Sequence, residues 1–243
     1  MLGDSVTFGH GVANHATFVR RLERLLQQDH PKLEIINGGS PGWSSRQQLI
    51  FYRDFGRRLD PDVVLVAFVL NDFTEMHRGT AEIRARQSGQ LAKGITWLAE
   101  RSSLISAMKL VYGSVVDPHN REISAITDLA YRSESPEVQH AMDVTVGELR
   151  ELLEMARSDG ARFGLVVFPF RFQFRSEGLD APQRRLERFA MENQVPFLDT
   201  LPMLRKYGPD RVLLDADHLT PFGHGLVADA LELWLRETSL ISR

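Results

Sequence analysis

The sequence predicts an α/β layer fold built on a mainly parallel sheet. Strand-like and helix-like stretches alternate along most of the chain, the order that builds strand–helix–strand units. The clearest strand, Val63–Val69, is apolar throughout and rich in valine, as a strand covered on both faces by helices must be. The 243 residues fit one large domain and are enough to bury a core without disulfide or metal staples.

Taken in order, residues 17–28 set Phe18, Leu22, Leu25 and Leu26 on one helical face. Residues 33–36 read as a short strand running into the turn-rich Asn37-Gly38-Gly39-Ser40-Pro41-Gly42. A helix is expected over 47–59, punctuated by Asp60-Pro61-Asp62, before the valine-rich strand. Regularity then lapses over about 73–140, which reads as an insertion in the domain. Within it, 78–86 and 95–112 have helical character, and Ser133-Glu134-Ser135-Pro136 has the composition of a loop. Trp97, Met108 and Tyr112 are suited to packing the insertion onto the domain.

Val146, Leu149, Leu152, Leu153 and Ala156 mark a further helix, which Gly160 is placed to stop. Residues 163–168 form a buried-type strand. Phe168, Phe170, Phe172 and Phe174 alternate as if one strand face continued outward, with Arg171 and Arg175 at solvated positions. Asp180 and Pro182 open another helix. Residues 195–198 read as an edge strand because of Pro196. Thr220-Pro221 starts the last helix, with Phe222, Leu226, Ala230, Leu233 and Trp234 on or near one face. No internal repeat is present.

Composition removes several function classes. With 29 basic and 32 acidic residues, the chain lacks the basic excess of a nucleic-acid binder. Zero cysteines exclude disulfides, cysteine nucleophiles and cysteine–zinc sites. The longest apolar run, 63–70, falls far short of the roughly 20 residues that span a membrane.

Four stretches carry chemistry: Gly3-Asp4-Ser5, the turn ending at Gly42, Asn71-Asp72, and Asp215-Ala216-Asp217-His218. Singly they read as turns and helix caps. Three of them follow strands, beyond whose carboxyl ends open α/β sheets bind their ligands. A serine hydroxyl needs a base to become nucleophilic, and His218 has an acid three residues before it. Asp215 suits the third role, with Asp217 the neighbouring alternative. His224 has no acid at that spacing and reads as a solvent-facing or capping histidine.

In order and placement these stretches resemble the SGNH hydrolases, also called the GDSL esterase/lipase superfamily, from Gly3 to the final helix. The resemblance implies a three-layer α/β/α, flavodoxin-like fold. It implies a catalytic triad of Ser5, His218 and Asp215, and an oxyanion hole made by the N–H of Ser5, the N–H of Gly42 and the side-chain amide of Asn71. It implies an ester hydrolase working through an acyl-enzyme without metal or organic cofactor, on a small-molecule or glycan-linked ester. Two other readings stay open: an O-acyltransferase using the same site on a polysaccharide, and a non-catalytic carbohydrate- or protein-binding module. The sequence departs from the family at Val69, where a glycine is usual, which points to a bulkier pocket wall. Only Met1 and Leu2 precede Gly3, so the first strand is expected to be truncated relative to the family's. A signal or anchor ahead of it is left open.

Overall fold

The computed structural model describes residues 1–73, 126–175 and 177–241. Five parallel strands form one sheet: β1 (Leu2–Gly3), β2 (Gly38–Gly39), β3 (Val63–Val69), β4 (Arg162–Phe168) and β5 (Phe197–Asp199), in the order β2-β1-β3-β4-β5. The helices are α1 (Ser5–Phe8), α2 (Phe18–Leu26), α3 (Ser45–Asp54), α4 (Pro136–Ser158), α5 (Ala181–Glu192), α6 (Leu201–Arg205), α7 (Pro209–Val212) and α8 (Pro221–Glu237). α2 packs on α8, while α3 packs on α4 and α4 meets α5. The sheet lies between these two helical layers, so the expected α/β/α class holds.

β3 and β4 form the spine. Their register runs from Val63 opposite Arg162 to Val69 opposite Phe168. Val66, Phe68, Val69, Leu165 and Val167 are wholly buried, which is why both segments read as continuous apolar runs. β1 lies inside the sheet, pairing Leu2 and Gly3 with Val66 and Ala67 on one side and with Gly38 and Gly39 on the other.

Several elements differ from their sequence reading. The strand expected at 33–36 is not one; β2 forms instead at Gly38–Gly39, where the unbulky chain can lie against β1. Helix α3 is shorter than 47–59 and passes into a 3₁₀ turn at Gly56–Leu59. The alternating phenylalanines do not extend β4. The strand stops at Phe168 and Arg171–Phe174 is a 3₁₀ turn. Buried Gln173 causes this: its side chain accepts the Phe170 N–H at 3.0 Å and donates to the Leu179 carbonyl at 2.7 Å, replacing ladder bonds.

The segment read as an insertion gives way to the regular fold before residue 140. Residues 126–131 are helical, with Ile126 and Leu129 buried in the core. Ser135, read as loop, caps α4 by accepting the Val138 N–H at 3.3 Å, and Pro136 takes the first helical position. The helices expected at 78–86 and 95–112, with Trp97, Met108 and Tyr112, lie outside the described residues.

No helix among the described residues is long and apolar enough to cross a membrane. A cavity of about 590 Å³ opens at the amino end of the strands, lined in part by Met1, Ile35, Val63, Leu65, Arg162 and Ile241. None of the candidate site residues lines it.

Candidate active site

In a sheet of this order the connections leave β1 and β3 toward opposite faces, and a crevice opens between their carboxyl ends. Ser5 follows β1 and Asn71 follows β3, so the topology alone puts them at that crevice. Gly3 has no room for a side chain: a Cβ there would meet Thr7 Oγ1 at 2.1 Å and the Ala67 carbonyl at 2.8 Å. Asp4 then caps α1, its Oδ1 accepting the Val6 N–H at 2.9 Å. This turns the chain sharply and holds Ser5, nearly buried, at the first position of the helix.

The loop before α8 brings the other half. His218 Nε2 lies 2.9 Å from Ser5 Oγ, and His218 Nδ1 lies 2.7 Å from Asp215 Oδ2. Asp217 is the poorer partner, with Oδ1 3.6 Å from the same nitrogen. Asp215 is itself fixed, since its Oδ1 accepts the backbone N–H of His218 at 3.0 Å and of Asp217 at 3.2 Å. Partial burial pushes its carboxyl upward, but the hydrogen bonds from His218 and Asp217 outweigh that and leave it below the usual carboxylate range.

Asn71 sits in the 3₁₀ turn Leu70–Asp72 and its side-chain amide bonds to Asp4, which also accepts the Ser5 hydroxyl at 3.2 Å. Gly42 lies in the turn after β2 at φ 76°, a left-handed conformation that suits glycine. That turn stays tied to β1 through Ser40 N–H to the Gly3 carbonyl at 3.2 Å. Val69, expected to narrow the pocket, is instead wholly buried in the core.

Beneath Ser5 lie two fully buried carboxyl groups, Asp4 and Asp72. Burial raises Asp4, against hydrogen bonds from Val6, Asn71 and Ser5. Burial, and then the charge of Asp4, raise Asp72 well above the usual range. Asp72 holds its turn in place, its Oδ2 accepting the Val69 N–H and the Gln48 amide, each at 3.0 Å.

Two neighbours escaped the sequence reading. The His10 ring lies against that of His218, centroids 4.5 Å apart. The Arg171 side chain, expected to be solvated, bonds to the loop that carries Asp215. Neither contact joins residues close in sequence, so no local pattern announces it. Of the two readings of His224, the solvent-facing one fails because the residue is buried, while the capping one holds, its Nδ1 accepting the Phe18 N–H at the start of α2 at 3.0 Å. Asp215, Asp217 and His218 cluster closely enough to touch one ion. Both ring nitrogens of His218 already face Asp215 and Ser5, so the cluster fits acid–base work better than metal binding.

The model of the GDSL-like lipase/acylhydrolase family matches residues 1–226. The chain belongs to that family. As a GDSL-like acylhydrolase it is an enzyme that hydrolyses ester bonds. Solved structures of similar fold include TesA, at a TM-score of 0.62 and 12% identity over 98% of this chain and 97% of that one. An acetylxylan esterase from Geobacillus stearothermophilus, solved as a catalytic mutant, gives 0.58 and 20% identity over 98% and 91%. LAE5, an alpha/beta hydrolase enzyme from the metagenome of Lake Arreo in Spain, gives 0.59 and 19% over 100% and 94%. No curated protein matches the chain.

Proposed function

We propose that this GDSL-family enzyme cleaves its ester through an acyl-enzyme on Ser5. The observation that carries the reading is the unbroken line Ser5 Oγ–His218 Nε2–His218 Nδ1–Asp215 Oδ2, at 2.9 and 2.7 Å. His218 takes the Ser5 proton as Oγ attacks the ester carbonyl. Asp215 holds the proton on Nδ1, so Nε2 is free to accept, and it stabilises the imidazolium that forms. His218 then returns the proton to the leaving alcohol. Water attacks the acyl group by the same route in reverse and frees Ser5.

The negative oxygen of each tetrahedral intermediate is met by the N–H groups of Ser5 and Gly42 and by the Asn71 amide. Asp4 supports the last of these, since its bond to Asn71 fixes the amide beside Ser5. The chemistry needs no metal or organic cofactor. The substrate class is a small-molecule or glycan-linked ester, with an acetylated sugar or short acyl ester as first candidates. The acetylxylan esterase of similar fold supports that choice.

Labelling with a fluorophosphonate tests the nucleophile. The wild-type enzyme takes up the probe and Ser5→Ala does not; labelling that persists in Ser5→Ala rejects the assignment. On a panel of nitrophenyl esters and acetylated xylo-oligosaccharides, Asn71→Ala loses on the order of 100–1,000-fold in kcat and changes KM little. Transfer of the acyl group to an added glycan, in place of its release as free acid, would convert the reading to an acyltransferase.

A further inference from the structure

The loop between α7 and α8 presents Asp215 and His218, and besides the bonds that Asp215 accepts from Asp217 and His218 its two arms are joined to each other. Leu213 and Leu219 form an isolated antiparallel bridge, and the Leu214 N–H reaches the His218 carbonyl at 2.7 Å. These close a tight hairpin whose carbonyls at Leu213, Asp215 and Ala216 point away from the turn. One residue collects them. Arg171 Nε donates to the Asp215 carbonyl at 2.7 Å, and Nη2 donates to the Leu213 carbonyl at 3.1 Å. The Arg171 backbone N–H donates to the Ala216 carbonyl at 2.6 Å. Nη1 completes the set on the Asp210 carboxylate.

We propose that Arg171 is a positioning residue of the hydrolytic site, whose guanidinium and backbone clamp the 213–218 hairpin in the register that aims His218 at Ser5. The proposal rests on Asp215 and His218 being the acid–base pair. Arg171 touches neither reacting atom; it acts through the backbone of Asp215.

The clamp has a rigid base. Arg171 opens the 3₁₀ turn that follows β4, one of the two strands of the sheet's spine. That turn is locked from below by Gln173, whose amide donates to the Leu179 carbonyl and to Gln183 Oε1 at 2.9 Å. Arg205 Nη2 adds a bond to the Gln173 carbonyl at 2.8 Å. The carboxyl end of β4 is thereby connected to a hairpin more than 40 residues later in the chain. Only arginine suits the task, because a planar fork reaches two carbonyls and a carboxylate together, whereas lysine offers one compact ammonium. The residue read from sequence as a surface arginine thus has two guanidinium nitrogens on the loop and the third on Asp210 of α7. The Asp210 ion pair is the dispensable part, since Asp210 is almost fully exposed and such pairs contribute little.

The test compares Arg171→Ala, Arg171→Lys and Asp210→Asn on one ester. Misplacing a catalytic group by about an ångström costs on the order of 100-fold, so Arg171→Ala should lose about 10–100-fold in kcat with KM little changed. Added guanidinium ion should restore part of that loss, while urea at equal concentration should not. Arg171→Lys should fall between, and Asp210→Asn should stay near wild type. The low-field proton NMR signal of His218 Nδ1–H, held by Asp215, should broaden or move in both Arg171 variants and stay unchanged in Asp210→Asn. Wild-type kcat and an unmoved signal in Arg171→Lys, or in a folded Arg171→Ala, overturn the clamp. Full activity in His218→Ala would instead overturn the acid–base assignment, so the two failures are told apart.

Discussion

His224 Nδ1 accepts the backbone N–H of Phe18 at 3.0 Å. Phe18 is the first residue of α2, and its N–H has no partner inside the helix. A buried histidine on α8 thus supplies the bond that the start of a neighbouring helix lacks. To accept, the ring must be neutral at Nδ1, and burial, with the charges of Arg21 and His218, lowers its pKa to about 4. The folded pKa lies below the unfolded value of about 6.5. The stabilisation is therefore complete above about pH 6.5 and is lost as pH falls from there toward about 4. The full loss is about 3 kcal/mol. His224→Gln keeps an acceptor without a titrating ring, so its Tm should fall less than wild type between pH 7.5 and about 4.5. Parallel Tm curves for the two proteins would refute this. The sequence revealed Asp215 and His218 because their relation is local, three residues apart. It hid His224 and Arg171 because their partners lie 206 and 44 residues away.

At the scale of elements, α8 begins where the site ends. Thr220 Oγ1 accepts the Gly223 N–H at 3.0 Å and donates to the Arg211 carbonyl at 2.8 Å, and Pro221 occupies the first helical position. The cap therefore joins α8 to α7 across the 213–218 hairpin. Thr220→Ala should cost about 1 kcal/mol in urea unfolding, together with a fall in kcat, because the hairpin is held from this side too. A stability loss with kcat unchanged would show that the cap serves the helix alone. This boundary was legible, since a threonine followed by proline is a strong helix-start signal. β2 was not, because Gly38 and Gly39 carry no strand propensity and pair only where the sheet brings β1 beside them. Residues 33–36 have the apolar composition of a strand but remain outside the ladder. The turn at Arg171–Phe174 shows the same tension: phenylalanine alternation favoured a strand, and one buried glutamine redirected the backbone.

Over the whole molecule, pairing is uneven. β3 and β4 share seven register pairs, whereas β1 offers two to each neighbour and β5 shares three with β4. Local opening follows such differences. In hydrogen exchange, the amides of the β3–β4 ladder should be the slowest, with β2 and β5 exchanging earlier. Equal protection at β5 and β3 would contradict that order. The general architecture was readable because the β3–β4 spine is written as two apolar runs; the outer strands owe their place to what they lie against.

Ser5 and His218 are separated by 213 residues of chain. In the proposed mechanism the nucleophile is therefore synthesised long before its base. If that pairing is the working one, a chain that stops short of His218 leaves Ser5 an ordinary alcohol and does not turn over an ester. On that reading, turnover reports that the two distant segments carrying Ser5 and His218 have met.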